Sequence, residues 1–252
     1  FSISNDIGNI HTSSRGFPIG AEIRTLAFGF DTDEKLGEML FFNTKIHNHG
    51  PGQINQFYAG IWSDTNGYCS WANNYLGFDS TRNMAYLYEI IKEDQCECTI
   101  VGSNCSLVPV SGMRMYHGFR KDQDTASLQV SSFIYYNNGG IGGALPAMID
   151  PSQAIEFYRY LSGVWRDGTP LTYGGNGYNP GSTAITKFAY TSNPSSSDPN
   201  SWSMCNTAPS LADRMMLMST GPITLAPGGI NDFTFGTMAA LVPHSGCPDI
   251  TI

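Results

Sequence analysis

Apolar side chains at every second position are the feature that most constrains the fold of this chain. They alternate with other residues over 25–30, 40–47 and 233–241. A period of two places successive side chains on opposite faces of a β-strand. Further strand candidates are 54–62, 84–90 and 128–136, and clusters such as His49-Gly50-Pro51-Gly52 between them favour turns. The pattern predicts a mostly β chain, folded as an antiparallel β-sandwich or a jelly-roll-like fold.

One segment departs from this pattern and predicts a short helix. Asp150 is a suitable N-cap, Pro151 fits the first helical position, and Gln153 can reach back to the cap. One face would then carry Ala154, Phe157, Tyr158 and Leu161, and the C-terminal stop would be Gly163. We expect this helix to cover one end of the sheets. No repeat and no linker divides the sequence, so residues 1–252 are expected to form a single β-rich domain.

The composition excludes several classes of protein. Charged residues make up only 13 %, and 21 acidic against 13 basic residues give a net charge of −8. A nucleic-acid-binding protein would need a basic surplus, so no nucleic-acid partner is expected. The 41 % hydrophobic and 12 % aromatic content excludes a disordered chain. Because no apolar run reaches the ~18 residues of a membrane span, no transmembrane segment is predicted.

An even number of cysteines in an acidic, lysine-poor chain favours disulfides in an oxidising compartment over a zinc site or free thiols. Cys96-Glu97-Cys98 lacks the two-residue spacing of common zinc motifs. Among the possible pairings we favour a local bridge within residues 96–105 and a Cys205–Cys247 bridge. Such bridges would staple long loops like 168–206. The six disulfide candidates are Cys69, Cys96, Cys98, Cys105, Cys205 and Cys247.

Oxygen-bearing side chains between two strand candidates give the best candidate site for a metal. Calcium takes six to eight hard oxygen ligands, which carboxylates and amides can supply. The alternative is that these side chains only cap turns through hydrogen bonds to the backbone. His47 and His49, two apart at a strand end, could also bind a metal, but no carboxylate motif accompanies them. The calcium candidates are Asp64, Asn66, Asn74 and Asp79.

No catalytic motif emerges from the sequence. The glycines of 139–143 lack the Lys-Ser/Thr of a phosphate-binding loop and lie too far from the predicted helix. No GxSxG turn is present, so we expect no enzyme activity, although any sequence can supply the two carboxylates of a glycosidase. Aromatic residues in polar loops are candidates for stacking on sugar rings, whereas Trp62 and Trp165 are expected in the core. The stacking candidates are Trp71, Trp202 and Tyr178.

Four stretches together resemble a known family. FYAGIWSD at 57–64 with YLGFD at 75–79, FYRYLSGVWRDGTPLTYGGNGY at 157–178, and DRMMLMSTGPITLAPG at 213–228 resemble motifs of large secreted or cell-surface proteins of the Bacteroidota. Those proteins are cargo of the type IX secretion system, and the similarity covers about residues 19–241. The chain departs from the pattern at Asn66, Asn73 and Asn74, where carboxylates are usual, and at Phe78, which replaces a cysteine.

The resemblance implies export and an extracellular or cell-surface location, and it supplies no biochemical activity. It also implies calcium at Asp64, Asn66, Asn74 and Asp79, where the family has acidic positions. Short Asp-Ser/Thr acceptors for O-glycosylation in these bacteria are matched at Ser80 and Thr125. The leading hypothesis is a structural or adhesive module that assembles with other surface proteins or with copies of itself. The alternatives are a module that binds glycans and a secreted hydrolase with an unrecognised site.

Overall fold

The computed structural model describes residues 2–5, 10–64, 74–90, 107–121, 126–139, 143–210, 212–243 and 246–250. Its strands are antiparallel and form two sheets in a sandwich-like arrangement. The prediction of a mostly β fold with one short helix is therefore confirmed, and a further helix of four residues, Met204–Thr207, is added to it. None of the described helices combines the length and the apolar character that a bilayer crossing requires.

The larger sheet has seven strands, and its order differs from the chain order because the last strand lies in the middle. The strand numbers follow the chain. From one edge to the other, the strands are β1 (Ser2–Asn5), β2 (Ala21–Phe28), β3 (Leu40–Asn48), β10 (Ile230–Pro243), β7 (Leu107–His117), β6 (Met84–Tyr88) and β5 (Tyr75–Asp79).

The smaller sheet has three strands, in the order β4 (Ile54–Ser63), β9 (Arg214–Leu225) and β8 (Ser132–Asn137). It packs against the β5 side of the larger sheet, where Phe78 of β5 stacks on Phe133 of β8 with their ring centres 5.3 Å apart. Both rings are fully buried. The helices are α1 (Ala154–Leu161) and α2 (Met204–Thr207), with short 3-10 turns at Lys35–Glu38 and Pro146–Met148.

Helix α1 begins three residues later than the sequence predicts. Its N-cap is Gln153, because the Glu156 carboxylate turns back and accepts the Gln153 backbone N–H at 3.1 Å. Asp150, the predicted cap, instead accepts the backbone N–H of Gly139 at 2.6 Å. The predicted stop is confirmed, since Gly163 follows the helix with a φ of +68°. The choice of cap was therefore wrong, whereas the existence and the end of the helix were correctly predicted.

The segment 185–190 closes one side of the sandwich. The backbone N–H of Phe133 in β8 donates to Lys187 O at 2.9 Å, and the N–H of Phe78 in β5 donates to Tyr190 O at 3.1 Å. One segment therefore connects β8, an edge strand of the small sheet, to β5, an edge strand of the large sheet. On the other side, β4 is the outer strand of the small sheet, and β9 is its only strand partner in the described part of the chain.

The long loop after α1 is held together by its own aromatic and polar residues. The Trp165 indole is buried and donates to Gly177 O at 2.8 Å. The Asp167 carboxylate accepts from the Tyr178 hydroxyl at 2.8 Å and from the Thr169 backbone N–H at 2.8 Å. Partial burial disfavours the Asp167 anion, but these hydrogen bonds outweigh burial and lower the pKa of the group. Contacts among its own residues therefore stabilise this loop.

The cysteine prediction is tested at one pair. Cys205 of α2 and Cys247 of the C-terminal segment form a disulfide, as the sequence predicts. The bridge ties the end of the long loop to the residues that follow β10. The other four candidates, Cys69, Cys96, Cys98 and Cys105, lie outside the described residues.

Candidate functional site

An apolar groove of about 520 Å³ lies on the open side of the sandwich, between the inner face of the large sheet and β4. Its floor consists of alternate residues of three neighbouring strands. Phe42 of β3 and Phe235 of β10 stack there with ring centres 4.8 Å apart. The floor residues are Ala21, Ile23 and Thr25 of β2, Phe42, Thr44 and Ile46 of β3, and Phe233 and Phe235 of β10, with Ile19 at one end.

The wall of the groove is the edge of β4. Six consecutive residues, 57–62, line it. Successive side chains of a strand point to opposite faces, so an unbroken run of six marks a groove that follows the strand edge. An edge strand presents a row of backbone N–H and C=O groups that have no strand partner. The groove therefore combines an apolar floor with a line of backbone hydrogen-bonding groups.

The shape of β4 is irregular where the groove begins. The pairing of β4 with β9 shifts register on both sides of Phe57, and Gln56 has a φ of +51°. Such bulges bend a strand and increase its local twist. Nearer the other end of β4, Gly60 allows the strand to approach α1 closely, because a Cβ atom there would lie 2.6 Å from Leu161 Cδ2. Helix α1 thus braces β4 from outside and leaves its free edge facing the groove.

The groove carries no carboxylate, ammonium, guanidinium or imidazole group among its lining residues. Its one titratable side chain is Tyr58, and its pKa is raised, mainly because burial disfavours the phenolate and secondly because of the neighbouring Tyr158. Tyr58 is therefore neutral at physiological pH. An uncharged lining of this kind binds apolar groups and would reject a charged ligand, whose desolvation it could not compensate.

The described calcium candidates lie in different surroundings. Both carboxylate oxygens of Asp79 are engaged by Thr81 and Arg82, with a bond of 2.9 Å from the Thr81 backbone N–H. Burial opposes ionisation of Asp79, but these bonds prevail and lower its pKa. Asn74 is fully buried, and its backbone carbonyl accepts from Arg214 at 2.7 Å. Asp79 therefore organises a turn, as the alternative interpretation proposes.

Asp64 lies among other acidic groups. Desolvation raises its pKa, and the negative charges of Asp213 and Asp150 raise it further. Asn66, the remaining calcium candidate, lies outside the described residues. Calcium binding at Asp64 stays a prediction.

The predicted stacking residues are engaged within the protein. Trp202 is 1 % exposed and donates its indole N–H to Gly175 O at 2.9 Å, so its ring packs in the core. Tyr178 is half-buried and donates to Asp167. Trp71 lies outside the described residues. The expectation for the two core tryptophans is half right: Trp165 is buried, whereas Trp62 is 54 % exposed on the edge strand β4.

Of the two predicted O-glycosylation positions, Ser80 is exposed in the turn that follows β5, and Thr125 lies outside the described residues. An exposed turn is accessible to a modifying enzyme, and modification there stays a prediction. The groove itself was not predicted. Its signal in the sequence was the apolar alternation of β2 and β3, but that signal does not say which strands lie uncovered.

No protein-family model matches the chain, and a search of curated proteins finds no significant match. The resemblance to type IX secretion cargo therefore stays a prediction. What the protein does must be argued from the geometry of the groove and the surfaces around it.

Proposed function

We propose that this protein is an extracellular structural or adhesive module that accepts an extended segment of a partner polypeptide into its groove. One observation carries the proposal: the apolar floor of the groove lies directly beside the strand edge of β4. A bound segment would pair its backbone with β4 and insert every second side chain between the sheets. Strand addition of this kind combines backbone hydrogen bonds for affinity with side-chain pockets for specificity.

The chemistry of the groove defines its occupant. A strand of five or six residues spans ~17–20 Å and directs about three side chains toward one face. Each apolar side chain that becomes fully buried contributes ~1.5–3 kcal/mol, so three contribute ~5–9 kcal/mol before the cost of ordering the peptide. The segment must carry uncharged apolar residues at alternate positions, since the lining offers no counter-charge. A short peptide alone would bind no more tightly than the micromolar range.

A second exposed surface supports a role in assembly. On the outer face of the large sheet, Phe28 stacks on Phe41 with ring centres 5.5 Å apart, and Phe30 packs edge-on against both. Tyr116 extends the cluster, and Arg114 lies 5.0 Å from its ring centre. Phe28, Phe30 and Tyr116 are each 38–48 % exposed. Exposed aromatic clusters of this kind are typical of interaction surfaces rather than of isolated monomers.

The proposal is tested with a labelled synthetic peptide that alternates Thr with Val or Ile, with binding followed by fluorescence polarisation. Ile23→Asp places a charge in the floor of the groove and should abolish binding. Leu26→Asp is the matched control, because Leu26 lies on the same strand, is 64 % exposed and does not line the groove. Thr25→Arg is a second groove variant in case Ile23→Asp disturbs folding, which circular dichroism would show.

Hydrogen exchange gives an independent readout. Peptide binding should slow exchange of the backbone amides of β4 that face the groove, because they gain hydrogen-bond partners. Equal peptide binding by the Ile23, Thr25 and Leu26 variants would refute the proposal. Light scattering separates the possible occupants: if wild-type protein self-associates and Ile23→Asp is monomeric, the occupant is a second copy of this chain.

A further inference from the structure

Two histidines and a glutamate converge on the outer face of the large sheet. One ligand atom each from Glu22, His47 and His49 lies within 4.8 Å of the others. The two imidazole rings lie 3.9 Å apart between centres, and His49 Nε2 lies 2.8 Å from Glu22 Oε2. In the described part of the chain, no other group of three or more His, Cys, Asp or Glu side chains converges this closely. The carboxylate that the sequence did not place beside the histidines is supplied by a different strand.

The fold places these three side chains together through strand register. Glu22 of β2 is directly opposite His47 of β3, so their side chains share one face. His49 follows β3, and its backbone N–H donates to Gly20 O at 2.7 Å, which holds the turn against the start of β2. Gly20 has a φ of +70°, and a Cβ atom there would lie 2.9 Å from Gly50. The close approach of these two glycines brings His49 over Glu22.

Asn48 fixes the backbone between the two histidines. It is fully buried, and its side-chain amide donates to Leu225 O at 3.0 Å and to Gly52 O at 2.9 Å. Its neighbours His47 and His49 therefore project from an anchored residue. A ligand set held on anchored backbone loses little entropy when it binds an ion.

We propose that Glu22, His47 and His49 form a binding site for Zn²⁺. Two imidazoles with one carboxylate suit zinc, which takes nitrogen and oxygen ligands at ~2.0–2.2 Å. Three protein ligands leave a fourth tetrahedral position open to solvent, where a water molecule or a group from another molecule can bind. Calcium is excluded as the preferred ion, because it takes oxygen ligands and the set supplies two nitrogens.

Metal binding requires the ligand atoms, which lie within 4.8 Å of one another, to adjust by up to roughly 1.5 Å. Tetrahedral zinc separates its ligand atoms by ~3.3 Å, so His49 and Glu22 must move apart by roughly half an ångström from their hydrogen-bonded separation. Arg24 donates to both carboxylate oxygens of Glu22, at 2.8 and 3.0 Å. Its side chain is 67 % exposed, so it can swing into solvent when an ion occupies the site. Arg24 therefore competes with the metal, and its removal should tighten zinc binding.

The test is equilibrium dialysis of chelator-treated protein against Zn²⁺, with the bound metal measured by mass spectrometry. Wild-type protein should bind one zinc ion per chain once the proposed site is saturated. His47→Ala and His49→Ala should each weaken this site about tenfold or more, and so should Glu22→Gln. Arg24→Gln should bind zinc more tightly than wild type. His11→Ala is the matched control, since His11 lies outside the cluster, and it should leave binding unchanged.

Two further readings complete the test. A tetrahedral Co²⁺ absorption spectrum should appear with wild-type protein and disappear in His47→Ala, which reports the geometry and not only the uptake. Melting curves of the metal-free variants show whether each one folds. The proposal is overturned if wild-type protein takes up no zinc, or if it binds zinc no more tightly than the folded His47 and His49 variants.

Discussion

Asn48 is the residue whose replacement tests the architecture most directly. It ends β3, is fully buried and joins three separate segments. Its side-chain NH2 has two N–H groups, which three carbonyls share, and its side-chain oxygen accepts the Gly50 N–H at 3.0 Å. The carbonyl partners are Gly52 at 2.9 Å, Leu225 at 3.0 Å and Ala226 at 3.2 Å. Asn48→Ala removes all of these interactions and leaves their partners facing a space that a methyl group does not fill.

The magnitude follows from how many of these partners water can reach. A hydrogen bond contributes ~0.5–1.5 kcal/mol net, and a buried group left without a partner costs ~1–3 kcal/mol. Only the bond to Leu225 is fully buried, and the other three are partly accessible, so water can replace them in part. We therefore expect Asn48→Ala to lower the free energy of unfolding by ~2–4 kcal/mol. For a chain of this length, where 1 kcal/mol shifts the melting temperature by about 2–4 °C, the melting temperature should fall by roughly 4–16 °C.

Asn48→Asp sharpens the test, because it keeps the shape and replaces the donor by an acceptor. A carboxylate there would be buried against three carbonyls, so the folded state should raise its pKa above the unfolded value of ~3.9. A raised pKa stabilises the fold at low pH, and this stabilisation is lost as the pH rises through the folded value. The loss of unfolding free energy in Asn48→Asp relative to wild type should therefore grow from acidic to neutral pH. The corresponding loss in Asn48→Ala should stay constant.

Urea unfolding followed by circular dichroism, at a mildly acidic and at a neutral pH, measures both effects. The wild-type protein at each pH is the control, since it removes the contribution of every other titrating group. A loss smaller than ~1 kcal/mol for Asn48→Ala would refute the anchoring role. So would parallel pH dependences of the Ala and Asp variants, because the carboxylate would then lie in water.

Two further outcomes are expected. Gly60→Ala should lower the free energy of unfolding by ~1–3 kcal/mol in urea titrations, because the new Cβ would lie 2.6 Å from Leu161 Cδ2. An unchanged midpoint of urea unfolding would mean that α1 does not pack tightly against β4. Calcium should raise the melting temperature of wild-type protein and of Asp79→Asn but not of Asp64→Asn; the reverse order, or no response to calcium or chelator, would contradict a site at Asp64.

The strands could be predicted because their signal is local. Alternation at 40–47 and 233–241 marks two strands that the structure pairs with each other, Phe42 opposite Phe235. A period of two is a property of consecutive residues and needs no knowledge of the rest of the fold. The same holds for the stop of α1, where Gly163 supplies the positive φ that ends the helix.

The candidate functional surfaces could not be predicted, because they depend on pairing between distant segments. Glu22 and His47 are 25 positions apart in the sequence, and only the β2–β3 register places them together. The apolar neighbours of Trp62 predict a core position, but β4 is an edge strand and Trp62 is 54 % exposed. Strand order decides both outcomes, and a single sequence does not contain strand order in any local pattern.

The two proposed sites occupy opposite faces of the same pair of strands, which makes them separable by experiment. Ile23 lines the groove, and its neighbour Glu22 points to the other face, where it meets His47. Ile23→Asp should therefore abolish peptide binding and retain zinc, whereas His47→Ala should do the opposite. Asn48→Ala should impair zinc binding and retain the groove, because Asn48 anchors the turn between the histidines and does not line the groove. If each variant affected both activities equally, loss of the β2–β3 structure would explain the results better than loss of either site.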